Sequence, residues 1–192
     1  MNWLAHLRLA PAAPLVRLGN LAGDFVRGLD VAALHPDLQR GIAQHRAVDR
    51  FVDGHEVHRR SRRRLAPACG RFAGVALDVI FDHFLARDWA VHGDGGSLDR
   101  FIDSVHEDLG AYGALLPPGL RALGEGERLR GWLRGYRTVE GVERALQAMA
   151  RRRPRAGALP AAGAALRRSY EALGADFMEL WPQLAQRAAR AG

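Results

Sequence analysis

The sequence has 192 residues, 48% of them apolar and 26% charged, with 33 alanines and 26 leucines against 16 valines, isoleucines and threonines together. That length suits one domain, and the composition excludes a disordered or fibrous chain while favouring helix, because alanine and leucine lose little freedom there. The net charge is +7 with arginine as the only Lys/Arg type, and the single Cys69 excludes a disulfide framework or a thiolate zinc site.

Apolar residues at three- and four-residue spacing predict helices over 2–9, 14–28, 36–53, 55–66, 74–91, 98–115, 127–137, 139–151, 160–173 and 174–190. Breaks are expected at Pro11 and Pro14, Gly28, Gly54, Pro67 to Gly70, Gly93 to Gly96, Pro117–Pro118 and Pro154. No stretch alternates as a strand for more than four residues. The expected fold is therefore all-α, a single compact helical bundle over residues 1–192. The opening segment is interrupted by His6 and Arg8 and is too short for a secretory signal. No apolar run approaches the about 20 residues of a membrane span, so the expected location is the cytoplasm.

The chemistry-bearing residues lie mostly in the first half. His6 projects from the apolar helix 2–9, and Asp24 interrupts the apolar stretch from Leu15 to Val26. His45, Asp49 and Asp53 are spaced i, i+4, i+8 on helix 36–53 and share one stripe. Asp49 also reads as a surface acid paired with Arg46 or Arg50, and Asp53 as a helix end before Gly54. Asp78 and Asp82 repeat the i, i+4 spacing on helix 74–91, with His83 beside them among Leu77, Val79, Ile80, Phe81, Phe84 and Leu85. An acid on so apolar a helix is costly to bury unless it is paired or holds a cation. Facing helices that each supply an inward Asp or His make a metal site, and carboxylate with imidazole suits manganese, magnesium or iron(II). Such a cation polarises a phosphoryl oxygen and activates water, which points to phosphoester hydrolysis. Arg46 is the nearest candidate to meet the developing negative charge, with a surface ion pair as its competing role.

Charge is distributed unevenly. Residues 1–120 carry 14 arginines and 14 acids, whereas residues 121–192 carry 14 arginines and seven acids. The C-terminal third is thus a candidate surface for an acidic partner, or a set of solvated faces.

Met1-Asn2-Trp3-Leu4-Ala5-His6-Leu7 and Gly19-Asn20-Leu21-Ala22-Gly23-Asp24-Phe25-Val26-Arg27-Gly28 resemble the opening of the acyl carrier protein phosphodiesterase family. The resemblance continues through His45-Arg46, Asp49, Asp53, Leu77-Asp78-Val79, Asp82-His83-Phe84-Leu85, Tyr136-Arg137 and Arg152-Arg153-Pro154. It implies hydrolysis of the phosphodiester joining 4′-phosphopantetheine to a serine of holo-acyl carrier protein. It also implies a relation to the helical HD phosphohydrolases, although the order here is Asp82-His83 rather than adjacent His and Asp. The expected metal ligands are Asp24, His45, Asp49, Asp78 and Asp82, with Mn2+ foremost and Mg2+, Fe2+ or Co2+ as alternatives. The expected catalytic residues are Asp24, His6, His83 and Arg46, with His6 or His83 as the general acid. The carrier proteins are small and acidic, and Arg137, Arg152 and Arg153 are the expected contacts, with Arg59 to Arg64 as a second candidate face. The competing readings are an HD-type hydrolase of nucleotides or other small phosphodiesters, and a basic module binding nucleic acid. The latter leaves the Asp and His residues on apolar faces without a role.

Overall fold

The computed structural model describes residues 1–190, so the last two positions of the expected 1–192 domain lie outside the described residues. Among these residues there is helix and no strand. The α-helices in chain order are α1 (Trp3–Leu9), α2 (Pro14–Ala22), α3 (Pro36–Gly54), α4 (Glu56–Cys69), α5 (Ala73–Arg87) and α6 (Trp89–His92). They continue with α7 (Leu98–Ala111), α8 (Pro118–Gly124), α9 (Arg128–Gly135), α10 (Val139–Arg152), α11 (Ala161–Arg168) and α12 (Tyr170–Ala189). None of them is long and apolar enough to cross a membrane.

α5 organises the rest. Its Leu77, Val79, Ile80, Phe81, Phe84 and Leu85 are all buried, so the helix is apolar nearly all round and must be enclosed. α1, α4, α10, α11 and α12 pack around it, and one continuous apolar cluster runs from Met1 to Ala188. α2 and α3 pack backbone to backbone. A Cβ on Gly19 would stand 2.4 Å from the Leu38 carbonyl oxygen, and one on Gly41 would stand 2.1 Å from that of Val16. Only glycine lets these two backbones touch.

Several boundaries differ from expectation, each for a local reason. α2 ends at Ala22 and the chain passes through a 3-10 turn, Gly23–Phe25, to Gly28 at φ +80°. α4 runs through Pro67 to Cys69 and is closed by Gly70 at φ +54°, so the glycine rather than the proline stops it. Pro117–Pro118 does not only break the chain: Pro118 opens α8, a helix the apolar pattern did not predict. The expected break between 173 and 174 lies earlier, at Ser169, and Gly174 sits within α12 facing Phe84.

Candidate metal centre

α1 and α3 bring His6, His45 and Asp49 together, with one ligand atom of each within 4.8 Å of the others. His6 and His45 are buried, while Asp49 is 39% exposed and forms the open side of the cluster. The His45 Nε2 lies 3.1 Å from Asp49 Oδ2, and His6 Nε2 lies 3.2 Å from Asp49 Oδ1. A Cβ on Gly23 would fall 2.3 Å from His45 Cγ, so the chain beside the ring must be glycine.

The tautomers follow from a buried chain of amides. Gln44 Nε2 donates to the carbonyls of Leu9 and Ala188, each at 3.2 Å, which orients its Oε1 to accept from Asn20 Nδ2 at 2.7 Å. Asn20 Oδ1 is thereby left to accept from His6 Nδ1 at 3.0 Å. His45 Nδ1 donates to the Asn20 carbonyl at 2.8 Å. Both imidazoles therefore carry their proton on Nδ1 and aim a bare Nε2 lone pair at the Asp49 carboxylate. His6 Nε2 is buried without a hydrogen-bond partner. Two lone pairs converging on a carboxylate repel unless positive charge lies among them, and a divalent cation is the group that fits.

The titration behaviour agrees. Burial lowers the His6 pKa, which keeps the ring neutral and its Nε2 able to coordinate. Burial opposes ionisation of Asp49, yet its carboxyl is held below the usual range, and the Met1 ammonium 3.3 Å from Oδ1 favours its charged form.

Two more acids border the cluster. Asp24 Oδ1 is 3.8 Å from His45 Nε2, while its Oδ2 accepts from the Trp3 indole N–H at 3.0 Å. Asp24 is 48% exposed, at the mouth of the site. Asp78 Oδ1 lies 3.3 Å from the Met1 ammonium, which is also 3.3 Å from Asp49 Oδ1. His58, absent from the expected set, lies on α4 with Nε2 3.7 Å from Asp78 Oδ1, and neither of its buried ring nitrogens has a hydrogen-bond partner. Its signal is in the spacing: His58, Ser61 and Leu65 form the buried stripe of an arginine-rich helix. Trp3, Asn20 and Gln44 were missed as well, because each acts through hydrogen bonds that leave no periodic trace: Trp3 on Asp24, Asn20 on His6, and Gln44 on Asn20.

Other expected members lie elsewhere. Asp82 does not face the histidines: its two oxygens accept the backbone N–H groups of Leu4 at 2.8 Å and Ala5 at 3.0 Å. It caps α1 from across the core, where the helix's own Asn2 makes no side-chain cap. Burial pushes the Asp82 carboxyl up to about 7, against the pull of those two bonds. His83 also lies outside the cluster, held by tyrosines from two other segments. Its Nδ1 donates to the Tyr136 carbonyl at 2.8 Å and its Nε2 accepts from Tyr170 at 2.9 Å, so both nitrogens are committed to packing. Asp53 stands at the end of α3, and Arg46 is exposed on that helix. Arg137 is held by Asp99 in two bonds of 3.2 and 2.8 Å. Arg152 lies over the Trp132 ring, 4.9 Å from its centre, and Arg153 is exposed.

The family model described as acyl carrier protein phosphodiesterase matches residues 1–184. The chain belongs to that family. A relative from Serratia proteamaculans (strain 568), named acyl carrier protein phosphodiesterase, is 36% identical over 98% of this chain and 97% of its own. Relatives of the same name from Enterobacter sp. (strain 638) and Salmonella agona (strain SL483) are each 35% identical, over 96% and 99% of this chain and 95% and 98% of their own. No solved structure matches the chain. Every residue of the His6, His45 and Asp49 cluster, with Asp24, Asp78 and His58, falls inside the segment that the family model covers.

Proposed function

We propose that residues 1–192 act as one domain in the cytoplasm and hydrolyse the phosphodiester between 4′-phosphopantetheine and the serine of holo-acyl carrier protein. The family relationship supports the substrate. One observation supports the means: two imidazoles, fixed as Nδ1–H tautomers, direct their Nε2 atoms at one carboxylate. His6, His45 and Asp49 would hold a divalent cation, Mn2+ foremost and Mg2+, Fe2+ or Co2+ as alternatives. When bound, that cation supplies a Lewis acid for the phosphoryl group and for the attacking water.

The protein's own groups do the rest. Asn20, Gln44 and the Asn20 carbonyl keep both rings in the coordinating tautomer. Trp3 holds Asp24 at Oδ2, leaving Oδ1 at the mouth of the site to take the proton of the attacking water. Water adds to phosphorus, the bond from phosphorus to the serine oxygen breaks, and that oxygen leaves with a proton. The products are the apo-carrier protein and free 4′-phosphopantetheine.

The direct test is to incubate purified, chelator-treated protein with holo-carrier protein and add single metals back. Release of 4′-phosphopantetheine with Mn2+ and none with chelator is the expected result. No release with any metal overturns the reading.

A further inference from the structure

Four arginines of the C-terminal third are committed to acids, and four others cluster on one helix beside the site. Arg130 pairs with Glu127 and Asp103, Arg134 with Asp99 and Asp103, Arg137 with Asp99, and Arg167 with Glu140 and Glu143. Their charge is already answered within the fold. Arg144, Arg151, Arg152 and Arg153, all on or just after α10, are exposed and have no carboxylate at ion-pair distance among the described residues. Arg144 and Arg151 flank a groove of about 240 Å3 between α9 and α10, floored by Gly131, Gly135 and Gly141 and walled by Trp132.

Trp132 ties this groove to the metal centre. One side meets the Arg152 guanidinium, and its ring stacks on Trp3 with centres 5.1 Å apart. Trp3 in turn donates to Asp24, which borders His45. Unanswered positive charge, a groove and the mouth of the site thus form one continuous surface. On the other candidate face, Arg60 and Arg64 are committed to Asp176 and Glu179, while Arg59, Arg62 and Arg63 are exposed but have no stacked ring linking them to Trp3 and Asp24.

We infer that the α9–α10 groove, with Arg144 and Arg151 on its walls and Arg152 against Trp132, is where an acidic face of the carrier protein docks so that its phosphodiester reaches Asp24 and His45. The inference rests on the carrier-protein reading. It moves the contact surface away from Arg137, whose charge Asp99 already takes. Unpaired arginines attract an acidic partner at long range and set its orientation, and screening by salt weakens them.

Binding separates this surface from the catalytic reading. Affinity for fluorescently labelled holo-carrier protein is measured with chelator present, so that nothing turns over, for wild type, Arg144→Glu/Arg151→Glu and Arg62→Glu/Arg63→Glu. Circular dichroism and melting confirm that each variant is folded. The α10 double variant should bind about ten-fold more weakly and show a shallower dependence on salt, with the α4 variant close to wild type. Equal weakening by both variants, unchanged binding by the α10 variant, or no binding by wild type overturns the docking surface. Failure of wild type to release 4′-phosphopantetheine with metal present speaks against the catalytic reading alone, and the binding comparison still decides the surface.

Discussion

The rings of His6 and His45 are stacked, with centres 3.9 Å apart and planes 20° from parallel, and both turn Nε2 toward Asp49. Two imidazolium ions in that position would repel each other, and burial already disfavours a charge on His6. In the proposed reading a divalent cation lies between the two rings and Asp49. Adding Mn2+ at one hundred times its dissociation constant should stabilise the protein by about 2.7 kcal/mol, raising the melting temperature by about 5 to 10 °C. His45→Ala and Asp49→Asn should lose that rise and the bound metal together, read by melting and elemental analysis. A full Mn2+-dependent rise in either variant would place the metal elsewhere.

Asp24 and Trp3 separate proton transfer from metal binding. Asp24→Asn should keep the metal and lower kcat by about 100-fold or more, the usual contribution of a general base. Trp3→Phe removes the indole N–H that fixes Oδ2 together with part of the ring stacked on Trp132, and should lower kcat by about ten-fold while the metal stays bound. Loss of metal from Asp24→Asn would make this carboxylate a ligand rather than the proton acceptor.

Metal loading should also report the His6 environment through pH. Its pKa is lowered from 6.5, so the folded ring resists protonation where a free imidazole gains a proton. The neutral form coordinates, and loading should therefore persist as the pH falls through 6.5 and fail only below it. The same shift favours folding above the unfolded value and is lost as the pH falls through the folded one. Asp49, with its pKa depressed, acts in the same direction at lower pH. Mn2+ titrations between pH 5 and about 8 would check this. A midpoint at or above that of free histidine would contradict it.

Asp82 carries the opposite sign. Its folded pKa is raised to about 7, so the protonated form is favoured in the fold and its contribution is lost as the pH rises toward that value. In metal-free protein, the melting temperature of wild type minus that of Asp82→Asn should fall as the pH rises from about 4 to 7. A rising difference would show that the ionised carboxylate is the preferred cap. Asp82→Ala removes both bonds to α1 and should cost about 3 kcal/mol at low pH and less as the pH rises toward 7.

The helical class was legible because the three- and four-residue apolar spacing is local and repeated. So was the pairing of His45 with Asp49, which needs only one turn of α3. What spacing could not give was the direction of each polar residue on a helix buried all round. Asp78 and Asp82 share a stripe on α5, yet one faces the Met1 ammonium and His58 and the other the end of α1, because different helices cover them. His83 lacks even the stripe, and its partners Tyr136 and Tyr170 come from distant segments. The arginines show the same limit. Sequence counted their excess, but only the fold shows which of them Asp99, Asp103, Glu140 and Glu143 consume.

α1 has seven residues, far below the about 12 to 15 at which an isolated helix holds together in water. It exists because a carboxylate on α5 receives its first amides, and it delivers both His6 and Trp3. The proposed metal site therefore cannot form ahead of the core or outlast it. Under rising denaturant, metal affinity and tertiary structure should vanish in one cooperative step, and amide protons at Leu4 and Ala5 should exchange only through global opening.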